Sequence, residues 1–378
     1  MTTSLAPARP YARRGLPERV VFACMDAHTL GGIQRVTHTL AQGLAGRGYE
    51  VHVLGLHRSP APFRYVERPA YRSHEIHRTP MGPVGPLARR LGDRRLRALL
   101  DRLGPAHIVL TSPGVVSRML ALLPPHMTPI GHYHGSFEHA QGTWHLGSVR
   151  RHWGRLEQSV FLSPDDAAGF AAHALLPHTW TIPNPLPDWP ARPSPLSAPR
   201  VLGIGRLEGV KRFDRLISAF ARAVRTGRDP WELHLIGDGE DVPLLREHAR
   251  AEGVGDRVVF RGRVPAALMR AEYLGGAVVG LSSEHEGLPL VLCEAASYGV
   301  PAVAFDVSGG VRSLVRHQRT GLLAPPGDVD ALGAALARLM GSADERRRMG
   351  AAARAHAEQF RLDRVLDGWE TLFEHIAR

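Results

Sequence analysis

The chain has 378 residues, 44% hydrophobic and 22% charged, with a formal net charge of +11, two cysteines and one lysine. That length suits two domains of roughly 100–200 residues each, and no apolar run approaches the ~18 residues a membrane-spanning helix needs. Cys24 and Cys293 lie in apolar stretches without C-x-x-C spacing, which excludes a disulfide framework and reads as two reduced, buried, cytosolic thiols.

From Met1 to Arg19 the chain mixes Ala, Pro and Arg without an apolar core, which is not the pattern of a secretory signal. Val20–Met25 reads as a strand, followed by a turn with Gly31-Gly32, a helical pattern to about Arg47 and a second strand, Val51–Leu56. This βαβ unit implies parallel strands. The turn Asp26–Gly32 lacks G-x-G-x-x-G, and the second strand ends Leu54-Gly55-Leu56-His57 without a ribose-binding acid, which argues against a dinucleotide-dependent oxidoreductase. Arg89, Arg90, Arg94, Arg95, Arg97 and Arg102 then interleave with leucines at near-helical spacing. The result is a basic amphipathic helix that either solvates its arginines at the surface or lies on anionic lipid. Apolar runs at His107–Thr111, Pro129–Tyr133 and Val160–Leu162 extend the same sheet.

Residues 1–185 carry 21 arginines against 11 acids, whereas residues 186–378 are near balance, 26 basic against 25 acidic. A basic nucleic-acid-binding protein without enzyme activity is the alternative of another class. It is disfavoured because no RNA- or DNA-binding motif is present and few aromatics interleave with the arginines. Seven prolines between Pro183 and Pro199 allow neither a helix nor a central strand. The expected division is an N-terminal Rossmann-like domain over 1–185, a proline-rich linker over 186–199 and a second Rossmann-like domain over 200–361. The last helix, about 362–378, is expected to pack back on the first domain.

After the linker the alternation restarts. Strands Val201–Gly205, Glu232–Ile236, Val258–Phe260, Ala277–Leu281 and Ala302–Phe305 alternate with helices Phe213–Arg225, Val242–Glu252, Pro265–Leu274 and Leu290–Tyr298. The fold class is α/β, two doubly wound parallel sheets facing across a cleft, and ligand residues are expected just after strands.

Three places after strands carry chemistry. All basic residues but Lys211 are arginine, so a lysine kept in the turn Gly205-Arg206-Leu207-Glu208-Gly209-Val210-Lys211 suggests a flexible point charge for a phosphate. A stray surface lysine is the plain alternative. After Leu281, the turn at Gly287 and the helix starting near Leu290 offer free N–H groups to an anion, with Glu286 just before the helix and Glu294 one turn inside it. These carboxylates can accept hydrogen bonds from sugar hydroxyls, or simply complement the helix dipole. His134, in His132-Tyr133-His134-Gly135-Ser136, follows a strand of the first half, and His132 is the second candidate for the same role. No His or Cys spacing argues for a metal.

Together these motifs resemble the GT-B retaining glycosyltransferases of family four over nearly the whole chain from Val20. The resemblance rests on Glu-x7-Glu (Glu286, Glu294) with Ala295–Ala304 after it, on Gly-Arg-Leu-x3-Lys (Gly205, Arg206, Leu207, Lys211), and on the Gly31-Gly32-Ile33-Gln34-Arg35-Val36 turn. It implies a metal-independent transfer, without cofactor, of a sugar from a UDP- or GDP-type donor to an acceptor hydroxyl with retention, by same-face attack assisted by the leaving phosphate. Arg206 and Lys211 would grip the diphosphate. Gly287, Leu288, Pro289 and Leu290 would hold a phosphate, Glu294 the ribose, Glu286 the transferred sugar, and His134 would be the active-site histidine. Gly31 and Gly32 would admit close backbone approach, and the backbone at Arg263 and Val264 would read the base edge. A lipid-linked or cell-surface glycan is the first expectation for the acceptor and a secondary metabolite the second. The expected location is cytoplasmic, with a possible peripheral place on the inner face of the membrane. The chain departs from the family where Ser308-Gly309-Gly310-Val311-Arg312-Ser313 replaces a Gly-Pro-x-Glu turn; this removes one expected donor contact. Pro289 offers no N–H, which leaves Leu288 and Leu290 as the donors there.

Overall fold

The computed structural model describes residues 19–82, 85–225 and 230–377. The segment Met1–Glu18, expected from sequence not to be a secretory signal, lies outside the described residues.

The first sheet is built from β1 (Arg19–Asp26), β2 (Glu50–His57), β3 (Arg72–Glu75), β4 (Ala106–Leu110), β5 (Met127–His132), β6 (Gln158–Phe161) and β7 (Thr179–Thr181) in the order β3-β2-β1-β4-β5-β6-β7. The second contains β8 (Arg200–Ile204), β9 (Glu232–Ile236), β10 (Val258–Gly262), β11 (Val278–Leu281), β12 (Ala302–Phe305) and β13 (Gly321–Ala324), ordered β10-β9-β8-β11-β12-β13. Every ladder between these strands is parallel. The central strands read as continuous apolar runs because helices cover both faces of each sheet there. The fold class expected from the sequence is therefore present.

In both sheets the strand order reverses beside the first strand, between β1 and β4 and between β8 and β11. Crevices at such switch points, beyond the carboxyl ends of the strands, are where open α/β sheets bind ligands. Between β7 and β8 the proline-rich stretch forms no helix or extended strand. The terminal helix Leu362–Ile376 returns to the first sheet, where Trp369 meets Phe22 edge-on and Phe373 stacks on His107 with ring centroids 4.5 Å apart. Arg47 pairs with Glu370 at 2.6 Å and closes the same contact from the surface. Both cysteines are buried and unpaired. Burial pushes both thiols up, Cys293 far up, so each is an inert apolar filler and not a nucleophile.

Candidate functional site

The carboxyl ends of β8 and β11 place the first pair. One turn of 3-10 helix, Gly209–Lys211, brings Lys211 Nζ to Glu286 Oε1 at 2.6 Å. Ser283 Oγ donates to the same oxygen at 2.7 Å. The two loops are stapled together, since Ser282 Oγ donates to the Lys211 and Arg212 carbonyls at 3.0 and 2.8 Å and Glu284 N donates to the Val210 carbonyl at 2.9 Å. Lys211 and Glu286 are 24% and 11% exposed at their side chains, so this is a largely buried, hydrogen-bonded pair. Arg206 is not drawn into it. Its guanidinium pairs with Glu208 and stays 70% exposed.

The helix Leu290–Ser297 begins after Pro289, and its first turn is preceded by the Gly287–Leu288 backbone. Glu294 stands one turn inside. The Tyr273 hydroxyl donates to Glu294 Oε2 at 2.5 Å, and burial together with that carboxylate raises the phenol far above its ordinary range, so it remains a donor. Glu294 Oε1 is inaccessible to solvent and has no aligned hydrogen bond. It faces the guanidinium of Arg35, an ion pair from the other domain.

His134 comes from beyond β5. Its Nε2 is buried without a partner, and burial pushes the ring down to about 4, opposed by the Asn184 side chain beside it. Near neutral pH His134 is therefore an uncharged ring and not a cation. Asn184 is 5% exposed and its Nδ2 donates to the Leu288 carbonyl at 3.4 Å, while its Oδ1 is unpartnered. Asn184 thus stands beside the first-domain histidine and donates to the Leu288 turn of the second domain. His132, the second candidate, is 2% exposed and packs against Trp369. Its ring centroid lies 4.0 Å from that of His134, and burial followed by that neighbour holds it well below the usual range.

The domains meet closely here. A Cβ on Gly287 would lie 2.0 Å from the His134 carbonyl oxygen, and one on Gly310 would lie 1.7 Å from the Gly287 carbonyl oxygen. Both neighbours are backbone and cannot yield by turning a side chain. This gives the Ser308–Ser313 departure a physical reason: glycines are required where the short helix Gly309–Leu314 nests against the Gly287 turn. Arg312, beside the missing acid, donates to Glu138 at 2.6 Å and Asp165 at 2.9 Å across the domains, and to Asp306 at 2.9 Å within its own. His139 and His285 stack across the same seam with centroids 3.9 Å apart.

The remaining expected residues lie around this centre. Gly31 caps the helix Gly32–Gly46, and its N–H donates to the Tyr65 hydroxyl at 2.7 Å. A Cβ on Gly32 would meet nothing within 4 Å. Gly205 directly follows β8, and its N–H donates to the Ile236 carbonyl at 3.0 Å. The Arg263 guanidinium lies 5.9 Å from the Phe63 ring centre of the first domain, and Val264 packs on the second core. Among the described residues no group of three His, Cys, Asp or Glu is placed to hold a metal ion.

Sequence reasoning assigned no role to Arg35, Asn184, Tyr273 or Ser283. Arg35 lay within a quoted motif, and a lone polar residue between Pro183 and Pro185 was the available sign for Asn184.

Buried neutral histidines make stability depend on pH. Burial lowers His107 and His134 to about 4 and holds His132 well below its ordinary range, so the unfolded chain binds more protons than the folded one between pH 6.5 and about 4. Their contribution is complete above 6.5 and is lost as pH falls through that window. Asp166 opposes them, because burial raises its carboxyl to about 6 and protonation relieves it. The histidines held down by burial outweigh this one raised carboxyl, which predicts a lower stability at pH 5 than at pH 7. Thermal melts at the two pH values check it; equal melting temperatures would contradict these burials.

Residues 30–195 match Glycosyltransferase Family 4 and residues 190–356 match Glycosyl transferases group 1. An exopolysaccharide phosphotransferase of Streptomyces coelicolor is 28% identical over 393 aligned positions, 95% of this chain and 41% of that protein. The chain thus spans about two fifths of that relative's length. The lipopolysaccharide outer core galactosyltransferase WaaB superposes with a TM-score of 0.76 at 19% identity, covering 94% of this chain and 99% of that one. HepE of Anabaena, solved with UDP and glucose, superposes with a TM-score of 0.75 at 19% identity over the same shares. At such identities these two structures establish the fold.

Proposed function

We propose that the chain, which joins a stretch matching Glycosyltransferase Family 4 to one matching Glycosyl transferases group 1 on a GT-B fold, is a glycosyltransferase that moves a sugar from a UDP- or GDP-type donor to an acceptor hydroxyl, with retention and without a metal. The observation that carries this reading is the Lys211–Glu286 pair set beside Glu294 at the carboxyl ends of the second sheet. A donor satisfies all three at once. Its diphosphate takes the Lys211 ammonium and the Leu288 and Leu290 N–H groups, its sugar hydroxyls donate to Glu286, and its ribose hydroxyls donate to Glu294. Arg206, exposed on Glu208, swings in as a second cation. Charge that develops on the leaving diphosphate is then met by groups already in place. His134, uncharged, positions a sugar hydroxyl through its unpartnered Nε2. No side chain is assigned as a covalent nucleophile; same-face attack is assisted by the leaving phosphate.

A thermal-shift panel of UDP, GDP, ADP and dTDP with their sugars tests the donor class, because a ligand that binds only the native state raises its melting temperature. The reading expects one base to dominate; no shift with any of them removes it. Turnover in EDTA is expected to equal turnover without it. Loss of activity on chelation that Mg²⁺ restores would contradict the cationic grip.

The acceptor is proposed to be a cell-surface or lipid-linked glycan, reached from the inner face of the membrane. The relatives whose names concern exopolysaccharide and lipopolysaccharide support this class. So does the helix Pro86–Leu103, whose Leu96 and Leu100 are buried while all six arginines of its basic face are exposed. Leu87 and Leu91 are also exposed, at 72% and 44%, beside those charges. No described helix is long and apolar enough to cross a membrane. Reversible binding to phosphatidylglycerol vesicles is expected, with each basic residue near the surface contributing about 1 kcal/mol. Salt and the triple change Arg94→Gln, Arg95→Gln, Arg97→Gln should weaken it while nucleotide binding is untouched. Equal, poor co-sedimentation with anionic and neutral vesicles would place a soluble acceptor first.

A further inference from the structure

Each carboxylate of the cleft is met by a cation from another segment, and for Glu294 that cation comes from the opposite domain. Arg35 lies on the helix Gly32–Gly46, one turn from the Gly31-Gly32 turn, and its guanidinium pairs with Glu294 across the cleft. The two oxygens of Glu294 are used unequally. Oε2 takes the Tyr273 hydroxyl at 2.5 Å, whereas Oε1 is cut off from solvent, receives no aligned hydrogen bond and has only the charge of Arg35 opposite it. Tyr273 is 2% exposed and Arg35 is 41% exposed at its side chain. One partner is fixed in the core; the other can leave into water.

We propose that Arg35 is a displaceable counter-ion of Glu294: it pairs with Oε1 and ties the domains together there, and the ribose hydroxyls of a bound nucleotide take its place. This rests on the reading of Glu294 as the ribose ligand. A carboxylate this far buried would be costly if left unpaired, and Arg35 removes that cost. A hydroxyl aligned on Oε1 supplies the hydrogen bond that the guanidinium does not. The Lys211–Glu286 pair stands in the same relation to the sugar and diphosphate, so entry of the donor exchanges two internal ion pairs for ligand contacts.

The proposal has a signature that ordinary electrostatics opposes. Removing a positive charge near a dianionic ligand weakens its binding, whereas removing a competitor strengthens it, because apparent affinity is intrinsic affinity reduced by the fraction of sites that are free. The dissociation constant of the nucleoside diphosphate that wild type prefers, and of its uncharged nucleoside, is measured by calorimetry for wild type, Arg35→Ala, Arg35→Gln, Glu294→Gln and the Arg35→Ala, Glu294→Gln double variant. Both Arg35 variants should bind both ligands about 3- to 10-fold more tightly than wild type. On the Glu294→Gln background the Arg35 change should have no such effect, since the competitor then has nothing to hold. Unchanged or weaker binding in both Arg35 variants, with wild type binding normally, overturns the proposal alone. A folded wild type that binds none of the nucleotides overturns the donor reading, and this proposal with it.

Discussion

Lys211→Ala is expected to lower kcat/KM by roughly 30-fold or more, about 2 kcal/mol of transition-state stabilisation, because it deletes a preorganised charge from the site where the leaving diphosphate gains negative charge. The structure adds a second consequence. Glu286 is 11% exposed and would lose its counter-ion, keeping only Ser283 on Oε1. A buried carboxylate deprived of its partner destabilises the fold. The activity loss should therefore be accompanied by a lower melting temperature, and the variant Lys211→Ala, Glu286→Gln should recover melting temperature without recovering kcat/KM. Steady-state kinetics and melts on the two variants separate the effects. Wild-type kcat/KM in Lys211→Ala would remove the phosphate role of this turn.

Gly287→Ala is expected to cost about 10²-fold in kcat/KM, since a misplacement of about 1 Å at reacting groups has that effect. The added methyl would sit 2.0 Å from the His134 carbonyl oxygen, so the second-domain turn must move away from the first domain. Three candidate groups shift together, because the same turn carries Glu286 on one side and the Leu288 carbonyl that holds Asn184 on the other. Gly147→Ala is the control: it lies within the helix Trp144–His152, and its Cβ would meet nothing within 4 Å. That change should leave activity intact and, by stiffening the unfolded chain, stabilise slightly. Equal activity in both variants would show that the close approach is not needed for turnover.

How much of this was legible follows from how locally each feature is encoded. The buried strands, Arg19–Asp26 or Arg200–Ile204 for example, announce themselves as apolar runs because helices cover both sheet faces. Edge strands do not. Arg72–Glu75 is polar and largely exposed, and Thr179–Thr181 is three residues long, so neither has an apolar run to read. In the site, Lys211 and Glu286 could be named because each stands in a short motif directly after a strand. Their mutual contact, 75 residues apart in sequence, required the fold. Arg35 was hidden for the same reason, as its partner Glu294 belongs to the other domain. Asn184 fell at the very end of the stretch assigned to the first domain, where the flanking prolines gave no strand or helix to place its side chain. Arg312 read only as a missing acid, since the three carboxylates that give it a role come from three separate segments.

The central claim is that this cleft activates a nucleotide sugar through cationic side chains. Its most direct test is the slow release of nucleoside diphosphate from UDP- and GDP-sugars, followed with EDTA present, in wild type and in Lys211→Ala. The account predicts release from at least one donor by wild type, unaffected by EDTA and reduced roughly 30-fold or more in the variant. Folded wild-type protein that neither binds nor cleaves any nucleotide sugar, or a Lys211→Ala variant that cleaves as fast as wild type, would contradict it.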